Sequence, residues 1–301
     1  MGGPGETEGS AMSLTTTSQE WLTGTGARGV AAVVTRRHIA AETSTDVDNI
    51  CSTIAGDVFF AVPVRTRAGQ ELRAGTVLSG PEQVRGYYQG RSGSYVVTDS
   101  AQAKSLTTDW YVFNESVATL LGTGMVGDVD ATGREWVVNS AVLFPAAPDG
   151  IRGEICATRL PMDDVIRGTV PLAPPGRSSL EAERAHGALL DRFAQAVRAG
   201  DWAAAASEMS DGHTLAVRVD PLNAAPAVNS ATGRDASTAC LPAIFGGATD
   251  LTLMVRIATE WYVFAEYLLE LRGGSTRRIA LTQPVEDGKV IGSFGYGREE
   301  P

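Results

Sequence analysis

At 301 residues, the chain is long enough for two domains of ordinary size, each with its own buried core. Hydrophobic residues make up 43% and charged residues 20% of it, a composition typical of globular proteins. The formal net charge of −10 argues against nucleic acid or an anionic membrane as a partner, because both bind basic surfaces. No uncharged apolar run reaches the roughly 18 residues that suggest a membrane span, so none is predicted.

Residues 1–27 are rich in Gly, Ser and Thr, and they lack the basic and apolar stretches of a signal peptide. They predict a disordered N-terminal tail. The three cysteines, Cys51, Cys156 and Cys240, are odd in number and widely spaced. They predict buried thiols in a reducing cytoplasm, without a disulfide framework or a metal site.

A short aromatic motif occurs twice in the chain. Residues 109–115 read Asp-Trp-Tyr-Val-Phe-Asn-Glu, and residues 260–266 read Glu-Trp-Tyr-Val-Phe-Ala-Glu. Because the chain has only 5 tryptophans, a chance match is improbable. Two further anchors recur in the same order, Asp46 with Asp201 and Gly80 with Gly233. The sequence therefore predicts a tandem duplication, with domains at 28–168 and 181–298 and a Pro-rich linker at 169–180.

In the first copy, helices come before strands. Asp46 is placed to cap a second helix, and Pro81 to begin a short one. The predicted helices are 33–43, 47–54 and 81–89, and the predicted strands are 58–63, 110–119, 135–144 and 151–159.

The second copy repeats this order. Apolar residues from Leu189 to Val197 recur at helical spacing, and Gly200-Asp201 is a helix stop followed by a new helix cap. A helix over 202–209 and strands over 214–219, 254–271, 277–284 and 290–296 are predicted. Helices followed by antiparallel strands in each half indicate an α+β fold.

This order of elements resembles the NTF2-like superfamily, in particular its SnoaL-like branch. The segments that carry the resemblance are 37–42 with 46–47, 54–58, 80–88, 132–134, and 190–193 with 200–202. The resemblance implies two cystatin-like α+β cones, each with N-terminal helices packed on a curved antiparallel sheet around an apolar pocket. Members commonly dimerise through the sheet, so the tandem chain is expected to form that pair internally, as a pseudo-dimer. Whether the chain also forms homo-oligomers is left open.

Enzymes of this superfamily often carry an aspartate that acts as the catalytic base, in a Glu-Asp-Pro string on the first strand. The first copy has Ala61-Val62-Pro63 there, and the second has Val219-Asp220-Pro221. Asp220 is therefore the residue that best matches such a base, although Asp-Pro is also an ordinary turn.

Glu115 and Glu266 alternate with aromatic residues along one face of their strands. If that face lines the cone, burial raises the carboxyl pKa as a general acid or base requires. The opposite face is the alternative. His38 and Glu42 lie four residues apart on one helix face, which makes His38 a further catalytic candidate, with a surface pair as the alternative. The residues expected to line the pockets are Trp110, Tyr111, Phe113, Tyr87, Tyr88, Trp261, Tyr262 and Phe264.

The sequence thus predicts a protein that binds a small, largely apolar organic molecule. It would perform isomerase, cyclase, dehydratase or epoxide-hydrolase chemistry by acid/base catalysis, without cofactor or metal. The catalytic candidates are Glu115 with His38, and Glu266 with Asp220. One alternative is a non-catalytic binding or assembly module, and another is one catalytic domain beside one structural domain.

Overall fold

The computed structural model describes residues 24–65, 76–159, 162–168 and 179–301. Most of the predicted tail and linker lies outside these described residues. None of the helices within them is long and apolar enough to cross a membrane.

The first half contains helices that precede most of its strands. Its elements are α1 (Gly24–Thr43), α2 (Val47–Cys51), β1 (Ile54–Arg65), β2 (Thr76–Ser79), α3 (Pro81–Ser92), β3 (Tyr95–Thr107), β4 (Tyr111–Gly122), β5 (Met125–Val126), β6 (Val129–Asp130), β7 (Glu135–Ala147), β8 (Gly150–Thr158) and α4 (Met162–Arg167).

The second half repeats the arrangement without the small β5–β6 hairpin. Its elements are α5 (Leu180–Ala199), α6 (Trp202–Ser207), β9 (Met209–Asp220), β10 (Ala227–Thr232), α7 (Arg234–Phe245), β11 (Ala248–Ala258), β12 (Tyr262–Leu271), β13 (Thr276–Glu286) and β14 (Lys289–Glu300).

Each half builds one six-stranded sheet, and the two sheets have the same topology. The strand orders are β2-β1-β8-β7-β4-β3 and β10-β9-β14-β13-β12-β11. Pairing is antiparallel except between β1 and β8 and between β9 and β14, which run parallel. This confirms the predicted α+β fold in tandem. The strand predicted over 254–271 is wrong, because β11 and β12 are separate strands joined by a turn at 259–261.

The predicted helix boundaries have clear physical causes. Asp46 accepts from the backbone N–H groups of Asp48 and Asn49, and Asp201 accepts from that of Ala204. These bonds satisfy helix donors that would otherwise lack partners. Gly200, at a φ of 66°, ends α5 in the left-handed conformation that favours glycine.

The two sheets pack against each other through their outer faces. The buried cluster between them takes residues from both halves, and its centre is the stacked pair Phe113 and Phe264, with ring centroids 4.1 Å apart. Aromatic rings of this size bury large apolar areas and dominate such contacts. The aromatic motif of each half thus lies between the domains.

Reciprocal hydrogen bonds flank this stacked pair. The Tyr111 hydroxyl donates to Oε2 of Glu266, and the Tyr262 hydroxyl donates to Oε2 of Glu115; each donor–acceptor distance is 2.8 Å. Burial, and then the neighbouring glutamate, raises the pKa of both phenols, so they remain protonated donors. The tyrosine of each motif therefore binds the glutamate of the other copy.

Candidate active site in the first domain

A cavity of about 540 Å³ lies between the sheet and helices of the first domain. This volume is within the usual range for small-molecule pockets. Its walls are mainly apolar, and its exposed rim includes Thr43, Gly86 and Gln102. The apolar lining includes Ile39, Val62, Val97, Val142 and Phe144.

Three charged-type side chains line one end of this cavity: Glu42 from α1, Arg91 from α3 and Glu154 from β8. Arg91 forms an ion pair with Oε1 of Glu42, and the two side chains are 12% and 13% exposed. The hydroxyl of Tyr88 lies 3.1 Å from Oε1 of Glu42 and 2.8 Å from Oε2 of Glu154. The contact of Glu154 with Tyr88 is thus made through Oε2.

The two carboxyl groups have opposite pKa shifts. Burial, and then the charge of Glu42, raises the pKa of Glu154 to about 8. Burial acts in the same direction on Glu42 and is the largest single effect there, but Arg91, His38 and the hydrogen bonds from Arg91 and Tyr88 together lower the pKa of that carboxyl. At neutral pH, Glu154 is therefore mainly a neutral acid beside an ionised Glu42.

His38 lies behind this group, fully buried, and not on the surface. Its Nδ1 is 2.7 Å from Oγ1 of Thr53, which itself donates to the carbonyl of Ile50. Thr53 must therefore accept, so Nδ1 carries the hydrogen of the neutral ring. Nε2 then has no hydrogen and lies 3.1 Å from the Tyr88 hydroxyl, whose single hydrogen can be donated to only one of Nε2, Glu42 and Glu154 at a time. Burial lowers the pKa of His38, which keeps the ring neutral.

The side chains of His38, Glu42 and Glu154 could in principle hold a metal, since one ligand atom from each lies within 4.8 Å of the others. Arg91 does not fit such a site, because its positive charge is paired with Glu42 and would repel a cation. The donor set fits proton transfer better than metal binding.

The predicted catalytic glutamates do not line this cavity. Glu115 and Glu266 lie on the opposite faces of β4 and β12, between the domains, so their predicted place in the cone is wrong. Side chains alternate along a strand, and it is Asn114 that faces the cavity. Glu266 is 1% exposed and also accepts from Trp110 Nε1 and from Arg278.

The aromatic residues of the motif share that outward face. All six lie in the cluster between the sheets: Trp110, Tyr111, Phe113, Trp261, Tyr262 and Phe264. Their predicted pocket-lining role is therefore wrong. Tyr87 lines the cavity as expected, whereas Tyr88 lies behind Glu42 and Glu154.

Asp220 also contacts the interface. It accepts from Nε of Arg218 at 2.6 Å and from the Tyr296 hydroxyl, and Arg218 also contacts Asp57 of the first domain. Asp220 and Glu266 therefore have different hydrogen-bond partners, and neither predicted pair, Glu115 with His38 or Glu266 with Asp220, forms a catalytic pair in a cone. Only His38 lies in the cluster beside the cavity.

The corresponding positions of the second domain are filled by other residues. Phe193 and Val197 stand where α1 has His38 and Glu42, and Ser293 stands in the register of Glu154. These helix residues belong to a large buried apolar core. The cavity end formed by Glu42, Arg91 and Glu154 is therefore specific to the first domain.

No family model matches the sequence, and no curated protein matches it. Among solved structures, a candidate polyketide cyclase from Xanthomonas campestris pv. campestris has 16% identity and a TM-score of 0.37, covering 48% of this chain and 99% of its own. An NTF2-like protein from Anabaena variabilis has 13% identity and a TM-score of 0.33, covering 48% and 95%.

A protein from Catenulispora acidiphila with a ketosteroid isomerase-like fold, solved in complex with trimethylamine, has 18% identity and a TM-score of 0.33. It covers 44% of this chain and 88% of its own. Each of these structures has the size of one half of the chain. Each half of the chain has the α+β architecture described above, with helices packed on one six-stranded, mainly antiparallel sheet.

Proposed function

We propose that the first domain is a SnoaL-like enzyme domain that binds a small, mainly apolar organic molecule. It carries out acid/base chemistry without a cofactor, of the isomerase, cyclase, dehydratase or epoxide-opening type. The observation that supports this most is Glu154, a buried carboxylic acid at the cavity wall whose pKa of about 8 lies near neutral pH. A group with such a pKa both donates and accepts protons efficiently.

The proton moves as follows. Glu154 donates from Oε1 to an oxygen of the ligand, while Tyr88 holds Oε2. The new carboxylate lies close to the ionised Glu42, and like charges in a buried site repel each other. Glu154 therefore takes a proton back from a carbon of the same ligand, so the protein ends in its starting state and the ligand is isomerised.

The second domain serves as a structural partner in this proposal. Its interior is packed with apolar side chains, and its outer sheet face covers that of the first domain through the reciprocal tyrosine–glutamate bonds. The pair is an internal pseudo-dimer, with two-fold exchange of equivalent residues. Three free thiols, Cys51, Cys156 and Cys240, support a reducing cytoplasm as its location.

The test uses 1-tetralone in deuterium oxide, with exchange of its C2 hydrogens followed by NMR. We expect the full chain to accelerate exchange, and Glu154→Gln to lower the rate by about 10²–10⁴-fold, because the amide cannot transfer the proton. The rate should fall as pH rises through about 8, where Glu154 loses its acidic proton.

Glu135→Gln is the matched control, since Glu135 is exposed at the start of β7, and it should keep the wild-type rate. An exchange rate equal to that of buffer, or one that survives Glu154→Gln, would contradict the proposed chemistry. Those results would favour a non-catalytic binding module.

A further inference from the structure

A row of polar side chains runs across the sheet side of the cavity, away from Glu154, and ends at the exposed rim with Gln102. Gln102, Ser116, Ser140 and Thr158 are neighbours in register across β3, β4, β7 and β8, and all four line the cavity. The hydroxyls of Ser116 and Ser140 are 3.0 Å apart. We call these four residues the polar row.

Asn114 lies next to the polar row on β4 and also lines the cavity. It is 4% exposed, and its buried Oδ1 has no hydrogen-bond partner among the described residues. Leaving a buried acceptor unpaired is unfavourable, so such a group usually has a partner in the functional state. A rotation of the Asn114 amide about its last side-chain bond would bring Oδ1 to the cavity, where a donor on a ligand would supply this partner.

The second domain shows that the fold does not require these polar groups. The residues in register with the polar row are Leu253, Tyr267, Ile279 and Gly297, and Ala265 takes the place of Asn114. Strands of the same topology thus carry mainly apolar side chains at these positions. The polar row and Asn114 are therefore features of the cavity and not of the sheet.

The charges at the other end of the cavity are balanced internally. Glu42 and Arg91 form an ion pair and neutralise each other. Together with Glu154 they are the ionisable acidic and basic residues that line the cavity. In the part of the chain that the structure describes, no unpaired cation lines the cavity there to hold a carboxylate or phosphate. An anionic ligand would enter without a counter-charge, which is costly in a buried site.

We infer that the cavity takes an uncharged, mainly apolar molecule with two oxygen groups at opposite ends, one for Glu154 and a donating hydroxyl for Asn114 and the polar row. Glu154 and Asn114 lie two strands across and two residues along the sheet, a Cα separation of roughly 12 Å. This suits a compact bicyclic molecule with hydrogen bonds at both ends. Only the Glu154 end of the inference rests on the proposed function.

Three ketone probes that differ at one position test the inference on the full chain: 6-hydroxy-1-tetralone, 6-methyl-1-tetralone and 1-tetralone-6-carboxylate. Isothermal titration calorimetry gives their dissociation constants. We expect the hydroxyl probe to bind about tenfold tighter than either of the others, because only it can pair Asn114 without a buried charge. This comparison needs no variant protein.

Asn114→Ala should remove the preference for hydroxyl over methyl, and Ala265 shows that alanine suits this strand position. Asn229→Ala, the same change in the edge strand β10 of the other domain, should retain it. Equal or tighter binding of the methyl probe, tightest binding of the carboxylate, no binding of any probe, or a preference that survives Asn114→Ala would overturn the inference. Loss of hydrogen exchange alone would instead contradict only the proposed chemistry.

Discussion

Glu266→Ala is expected to lower the free energy of unfolding by about 3–5 kcal/mol, the usual cost of removing one member of a buried charged pair. Glu266 is 1% exposed and accepts from Trp110, Tyr111 and Arg278. Its removal leaves two neutral donors and one guanidinium with fewer partners between the domains. Urea denaturation, followed by the fluorescence of the buried Trp110, measures the loss.

The duplicated motif supplies a matched control for this experiment. Glu115→Ala removes the equivalent carboxylate, which binds Tyr262 and the half-exposed Lys104. Fewer donors and more solvent reduce the expected loss to about 1–2 kcal/mol. Equal losses in the two variants, or a loss below about 1 kcal/mol for Glu266→Ala, would contradict the interface role described for the motif.

The wild-type protein is expected to lose stability relative to Glu154→Gln as pH rises from about 4.5 to 8. The folded state holds the proton of Glu154 up to a pKa of about 8, whereas an unfolded glutamate releases it near its ordinary value. Between these two values the folded state binds more protons, so stability falls with increasing pH. The difference should reach a few kcal/mol, because each shifted unit corresponds to roughly 1.4 kcal/mol.

Other groups titrate in the opposite sense, and the comparison with the variant removes them. The lowered pKa of Glu42 and that of His38 both favour the folded state as pH rises. They are present in both proteins, so the difference reports Glu154. Urea denaturation at a series of pH values measures the difference in unfolding free energy between the two proteins. A difference that stays constant from pH 5 to 8 would contradict the neutral state of Glu154.

The sequence predicted the fold well because repeat, capping and periodicity are local signals. The Asp46 and Asp201 caps and the helix face from Leu189 to Val197 appear in the structure where the patterns placed them. The exposed edge strand β3 was missed, since its residues 98–105 are nearly all exposed and lack the apolar alternation of a half-buried strand.

The site was harder to predict because strand alternation gives two faces without saying which one is inside. The conspicuous aromatic face of the motif turned out to pack against the other domain, which no local pattern in one strand reveals. Asn114, between Phe113 and Glu115, faces the cavity instead. The expected pairing of the two sheets did not by itself say which face of β4 and β12 makes the contact.

Glu154 had a signal that sequence reasoning could have used. It lies in a predicted strand of mostly buried residues, where an ionisable side chain needs a reason to be present. Arg91 follows Tyr87 and Tyr88 by one helical turn, so it shares their face of α3. The sequence could not show that Glu154 and Arg91 lie close to Glu42, because these three side chains come from three separate elements.

The central claim is that Glu154 is a neutral acid at neutral pH in the wall of the first domain's cavity. A ¹³C NMR titration of glutamate-labelled protein tests it most directly, with the Glu154 side-chain signal identified by its absence in Glu154→Gln. We expect a midpoint near 8 for this carboxyl. A midpoint at the ordinary glutamate value of about 4.3 would contradict it.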